Sequence, residues 1–107
     1  MSYDIWLDID TGGTEHATVW SGWNFTSNIS SMWRVAGTNL AEHHEKKAGE
    51  VAPELEAAIT ELEADPEKYK AMDSPNGWGT YEHLVPALKE LLTGYRAHPL
   101  ATVRVYR

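Results

Sequence analysis

Residues 3–9 alternate, with Tyr3, Ile5, Leu7 and Ile9 on one side and Asp4, Trp6 and Asp8 on the other. This is the period of two that a half-buried strand shows. Thr11-Gly12-Gly13-Thr14 offers two residues that take positive φ at little cost, and His16-Ala17-Thr18-Val19-Trp20 resumes extended character, so the pattern predicts a hairpin. A second alternation, Ala101 to Tyr106, follows the turn signal His98-Pro99 and predicts a strand at the other end of the chain. With both ends extended, a three-stranded antiparallel sheet is the simplest closure.

Between these segments the period changes to that of a helix. Ser27 or Asn28 can cap a short helix through Ile29, Met32, Trp33 and Ala36, stopped by Gly37, and Thr38 can cap another through Glu42-His43-His44-Glu45. From about Gly49, the positions Val51, Leu55, Ala58, Ile59 and Leu62 fall on one helical face, with Glu50, Glu54, Glu61 and Glu63 elsewhere and Asp65-Pro66 as the stop. Pro53 falls in or near the first turn, where a missing N–H costs little. A further turn spans Glu67 to Met72. Thr80 can cap a last helix with a wide stripe of Leu84, Ala87, Leu88, Leu91, Leu92 and Tyr95. Pro86 crowds the carbonyl four residues before it, which places the regular start of this helix nearer Leu84 than Thr80. The expected fold is α+β: a three-stranded antiparallel sheet packed on one face against two longer helices, with short helices besides.

At 107 residues the chain is long enough for one core and too short for two, so 1–107 reads as a single domain. Five tryptophans give that core much buried area, and they leave room for a homo-oligomer should one core not bury them all. Cysteine is absent, which excludes disulfides, thiolate zinc sites and a cysteine nucleophile, and fits a reducing cytoplasm. The amino terminus lacks the basic and apolar regions of a signal peptide, and no apolar run reaches the ~20 residues of a membrane span. The Asn24-Phe25-Thr26 and Asn28-Ile29-Ser30 glycosylation patterns are accordingly read as chance matches. A net charge of −7 with nine Lys and Arg in no stripe argues against nucleic acid as a partner.

Two stretches carry candidate binding chemistry. In Asp73-Ser74-Pro75-Asn76-Gly77-Trp78-Gly79-Thr80, a tryptophan stands between glycines in a turn-rich segment that leads into a helix. Trp78 either seals the core edge or lines a pocket backed by helix amides that lack intrahelical partners. In Trp23-Asn24-Phe25-Thr26-Ser27-Asn28, aromatics alternate with short side chains that donate and accept hydrogen bonds, which suits either turns and helix caps or a loop that stacks a flat ligand and reads its edge. If both loops converge, Trp78 with Trp23 or Phe25 would stack a small polar, nucleotide-like ligand. Asn24, Asn28 and Asn76 would read its edges, with Ser27 and Thr80 at the helix starts. The expected role is that of a non-catalytic binding protein without a cofactor, its partner a small polar ligand or a host protein.

Other groupings carry less. Asp8-x-Asp10-x-Gly12 resembles the head of a calcium loop, but the twelfth position is Val19 rather than a glutamate. Adjacent histidines on a helix point about 100° apart and suit no shared metal, so Glu42–Glu45 reads as a solvated face. No nucleophile with its base emerges, and His83 and His98 stand without visible partners. Two alternatives stay open. One is an acidic interaction module that inhibits a host protein through the Glu50–Asp65 helix or the face with Asp4, Trp6 and Asp8. The other is a small metal-dependent hydrolase using Asp8, Asp10 and His16.

The blocks "YDIWLDIDTGG", "NFTSNISSMW", "EADPEKYKAMDSPNGWGTYE" and "AHPLATVRV" resemble a family of small uncharacterised proteins from actinobacterial phages and their hosts, over nearly the whole chain. That resemblance implies a context rather than a mechanism: a phage or prophage accessory protein that binds a host factor or a signalling metabolite.

Overall fold

The structure, a computed structural model, describes residues 2–10, 16–26, 29–73, 77 and 79–106. The elements run β1 (Ser2–Asp10), β2 (His16–Thr26), α1 (Ser30–Ala36), a 3₁₀ turn (Leu40–His43), α2 (Ala48–Ala64), α3 (Pro66–Lys70), α4 (Tyr81–Ala97) and β3 (Thr102–Tyr106). Among the described residues the strands form one antiparallel sheet in the order β2-β1-β3, as the two alternating ends predict. The expected turn at Thr11–Thr14 lies outside the described residues.

Alternation along β1 and β3 sorts the two faces of the sheet. Tyr3, Ile5, Leu7, Val103 and Val105 are buried against the helices, while Asp4, Trp6, Asp8 and Arg104 lie on the open face. β2 departs from regular pairing twice. From Asp4↔Asn24 to Trp6↔Ser21, β1 advances two residues and β2 three; from Leu7↔Trp20 to Asp8↔Thr18, they advance one and two. Each extra residue in β2 is a bulge. Trp20 and Phe25 have opposite parity, so a regular strand would put them on opposite faces. The bulge between them lets Phe25 enter the core while Trp20 packs against it.

At the centre of the core, the ring of Trp33 meets Tyr3 at 5.2 Å and Phe25 at 5.8 Å, both edge to face. The apolar stripes of α2 and α4 close the core from the other side, with Leu55, Leu62, Leu84, Leu88, Leu91 and Tyr95 fully buried. Outside the core, Lys89 bridges to Glu63 and Arg96 to Glu56 between the same two helices. Both pairs are about half exposed and add little stability.

The two long helices start on tertiary contacts rather than on local side-chain caps. α2 has no side-chain cap; instead the Ala48 N–H donates to the Ala101 carbonyl and the Gly49 N–H to the Pro99 carbonyl, each at 2.9 Å. Two of its orphan donors are thus satisfied by the chain that enters β3. α4 starts at Tyr81, not nearer Leu84. Its first amide, Tyr81 N–H, donates to the Asp73 carboxylate at 2.8 Å. Pro86, like Pro53 in α2, is the sixth residue of a 17-residue helix and is exposed, so water can reach the carbonyl that each proline frees. The 3₁₀ turn is capped by Asn39, whose Oδ1 accepts from Ala41 N–H at 3.2 Å, and not by Thr38.

The entry to β3 also fixes Gly49. A Cβ there would stand 2.9 Å from Pro99 Cβ and 3.1 Å from the Pro99 carbonyl oxygen, and that backbone is held by the helix amide it accepts. Gly49→Ala is expected to destabilise the fold by about 1–3 kcal/mol through this overlap, against a helix-propensity gain of at most ~1 kcal/mol. Urea unfolding of the variant checks it; a gain in stability would show that the approach is slack.

Candidate functional site

The end of β2 and the start of α4 meet at a cavity of about 140 Å³ lined by Asn24, Phe25, Ile29, Gly79, Thr80, His83, Leu84 and Ala87. Phe25, Ile29, Leu84 and Ala87 give it an apolar lining, Thr80 and His83 bring polar side chains, and Asn24 borders it. The two stretches singled out in the sequence therefore approach each other here, through Asn24 and Phe25 on one side and Gly79 and Thr80 on the other. Ser27, Asn28, Asn76 and Trp78 lie outside the described residues, and so does the side chain of Trp23, whose backbone belongs to β2.

Several expected roles change in the structure. Asn24 and Phe25 belong to a strand rather than a loop. Asn24 is exposed on the open face and donates from Nδ2 to Asp4 Oδ1 at 2.6 Å, because its pairing opposite Asp4 turns it outward. Phe25 is buried, with its ring committed to Trp33, and lends the cavity only part of its surface. Thr80 stands at the head of α4, but its hydroxyl bonds His83 Nδ1 at 2.9 Å rather than a helix amide. The first helix amide is taken by Asp73, whose carboxylate already supplies the negative charge that a helix start favours. An anion has less to gain here than a free helix terminus would offer.

A second constellation escaped the sequence reading. His43 is 1% exposed rather than solvated. It follows Leu40 by three residues, and in a 3₁₀ turn side chains three apart eclipse, so the imidazole follows Leu40 into the core. Its Nδ1 lies 2.9 Å from the Tyr95 hydroxyl, and its Nε2 lies 3.1 Å from Thr38 Oγ1 and 3.4 Å from Glu54 Oε1. Thr38, 3% exposed, donates its one proton to Glu54 Oε1 at 2.8 Å. The Thr38 oxygen must therefore accept, which sets His43 Nε2 as a donor and Tyr95 as the donor to Nδ1. Every proton in the chain then has an acceptor, and the sequence signal that could have found it is the apolar residue three before His43.

Burial holds His43 below its ordinary value, outweighing the pull of Glu54. Burial alone would raise Glu54, but bonds from Thr38 and His43 draw its carboxyl below the usual range. Burial also pushes the Tyr95 hydroxyl well up. The cluster is thus neutral apart from one carboxylate. Thr38 and His43 do not form a nucleophile and its base, because the Thr38 proton already goes to Glu54 and the facing imidazole nitrogen donates.

Elsewhere several acidic groups are occupied. Asp8 accepts from Thr18 at 2.8 Å and Trp6 Nε1 at 3.2 Å and sits 3.5 Å from Arg104. On α2, Glu56 and Glu63 face cations of α4. Among the described residues no three His, Asp or Glu side chains group as a metal site, and no helix is long and apolar enough to cross a membrane. The side chain of His16 lies outside the described residues.

The His43 cluster makes stability depend on pH. With its folded value below 6.5, His43 binds a proton more readily in the unfolded chain, so stability falls as pH drops below that value. Glu54, with its folded value below 4.5, contributes stability above that pH and loses it further into acid. Urea midpoints are expected to decline in two stages, the first as the pH falls from neutrality through the ordinary histidine range and the second below the ordinary carboxylate range. His43→Gln should flatten that first stage, and His43→Ala should cost on the order of 3 kcal/mol at pH 7, since it leaves a cavity and an unanswered hydroxyl. An unchanged acid limb in His43→Gln would assign it to another group.

In comparison with known proteins, the chain matches no protein-family model, no curated protein and no solved structure.

Proposed function

We propose that the protein is a small non-catalytic binding protein, phage-encoded in origin, that holds a small polar ligand with one flat ring at the β2–α4 cavity and so modulates a host process. The observation that carries this reading is the convergence of Asn24 and Phe25 with Gly79 and Thr80 around one cavity, because it brings together two stretches distant in sequence whose residue types suit stacking and edge recognition.

The size of the cavity favours a small ligand within this reading. At about 140 Å³ the described walls enclose less than the ~300–1,000 Å³ of sites for drug-sized ligands. They take a single ring of nucleobase size over Phe25, Ile29 and Leu84. His83 contributes a polar edge that the sequence reading did not assign to the site; its Nδ1 is tied to Thr80, which leaves Nε2 to face a ligand. The reading gives Trp78 and Trp23 the stacking role, and Asn28, Asn76 and Ser27 the contacts to polar edges, while Asn24, its amide bonded to Asp4 on the open face, borders the cavity without reading the ligand. With Asp73 on the first amide of α4, the ring is the recognised part, and a nucleobase or nucleoside is favoured over a ligand held mainly by its phosphate.

Native mass spectrometry of the protein purified from a bacterial extract, set against its denatured mass, tests this. A copurifying small molecule is expected, absent from an Ala87→Phe variant that fills the cavity floor and retains its helical spectrum. Added adenosine, guanosine, cytidine and uridine supply the second arm, with a dissociation constant weakened about tenfold or more by His83→Ala or Trp78→Ala. A clean apo chain that takes up none of these nucleosides would remove the reading.

A further inference from the structure

A second cleft, of about 340 Å³, is lined by Arg34, Gly37, Thr38, Asn39, Glu42 and Glu54. It shares no residue with the β2–α4 cavity. It is open to solvent, and its charges come from three different elements: Arg34 from α1, Glu42 from the 3₁₀ turn and Glu54 from α2.

The charges are opposite yet unpaired. Among the described residues neither Arg34 nor Glu42 has an ion pair within 4.0 Å. Glu54 is ionised and held in place by the Thr38 hydroxyl and by His43 Nε2, both of them neutral donors. Its charge is therefore oriented without being cancelled, unlike that of Glu56 and Glu63, which meet Arg96 and Lys89. Asn39 adds a further donor: its Oδ1 is used as the cap of the 3₁₀ turn, which leaves the amide NH₂ for the cleft. No third ligating side chain joins the two carboxylates among the described residues, so the donor set does not suit a metal ion.

We infer that this cleft binds a zwitterion of the α-amino-acid type, its carboxylate on the Arg34 guanidinium and the Asn39 amide and its ammonium on Glu54 and Glu42. A guanidinium matches a carboxylate bidentately, and an ammonium carries three donors that the two glutamates can accept. A lone cation would leave Arg34 repelling it, and a lone anion would face both glutamates. A ligand with both charges has a partner of opposite sign for each.

The test uses the full chain and the twenty standard free α-amino acids as probes, read by thermal unfolding and by ligand-observed NMR. At least one is expected to raise the unfolding temperature saturably, beyond sodium chloride at equal ionic strength. For that amino acid, the decarboxylated amine and the N-acetyl derivative should each bind about tenfold more weakly or worse, since each leaves one charged group of the cleft unanswered. Arg34→Gln should weaken binding about tenfold, and Glu42→Gln roughly two- to fivefold. Both positions are exposed, so these variants decide the matter even if Glu54→Gln fails to fold. Ala87→Phe, in the other cavity, should leave binding unchanged, which separates this inference from the function proposed above. No saturable response to any amino acid, equal binding of the amine, or an Arg34→Gln variant with unaltered affinity would each overturn it.

Discussion

The buried imidazole of His43 is the constraint on which the arrangement of the helices depends. It reaches Tyr95 on α4 through one nitrogen and, through the other, Thr38 just before the turn and Glu54 on α2, so the 3₁₀ turn is pinned to both long helices at once. A polar group this deep is costly unless every donor and acceptor is met. Here one proton arrangement meets them all, with the Thr38 hydroxyl as the hinge of the argument. That arrangement holds with His43 neutral, which is why burial prevails over the nearby carboxylate and why acid works against the fold.

The turn so pinned carries the chain directly to β3. Glu45 N–H donates to the Val103 carbonyl and Val103 N–H to the Lys46 carbonyl, each at 2.8 Å, before Ala48 and Gly49 donate to the backbone ahead of the strand. Val105 N–H, next along the same edge, is answered by His44 Nδ1 at 3.0 Å. The outer edge of β3 is therefore closed by residues 44–49, which removes a template for strand addition. Glu45 takes a positive φ of 67° in this run, a conformation that costs a residue with a side chain on the order of 1 kcal/mol. The flanking bonds at 45, 46 and 48 hold it there. One continuous segment thus positions the His43 cluster, caps α2 and protects the sheet.

Where the sequence was informative, one local period decided the answer. Tyr3, Ile5 and Leu7 had to share a face, Val51 to Leu62 and Leu84 to Tyr95 had to form stripes, and the α+β architecture follows. Where partners distant in sequence decided it, local reading failed. Thr38 looks like a helix cap because a cap needs only its neighbours, yet its hydroxyl goes to Glu54, sixteen residues on. Thr80 looks like the cap of α4, yet the first amide goes to Asp73. The bulges of β2 leave no mark in the alternation except the opposite parity of Trp20 and Phe25, which becomes informative only once both are known to meet the core. His43 reads as solvated when its segment is taken as an α-helix and as buried when it is taken as a 3₁₀ turn. The candidate cavity was legible as two suspect stretches, but His83, Leu84 and Ala87 looked like ordinary helix surface and stripe.

The same hydrogen bonds that make the cluster stable also decide what kind of site can form beside it. Had His43 been protonated, its bond to Glu54 would have been an ion pair, and the carboxylate would have presented little net charge to the cleft. Because His43 is neutral, Glu54 gains orientation from Thr38 and His43 but no cancelling charge, and it lines the same cleft as Glu42 and Arg34. Preorganisation of this sort lowers the cost of binding a complementary ion, since the protein groups need not reorient when the ligand arrives. Stability and recognition are then two consequences of one proton arrangement, and a substitution at His43 that keeps the hydrogen bonds while changing the charge would alter the second before the first.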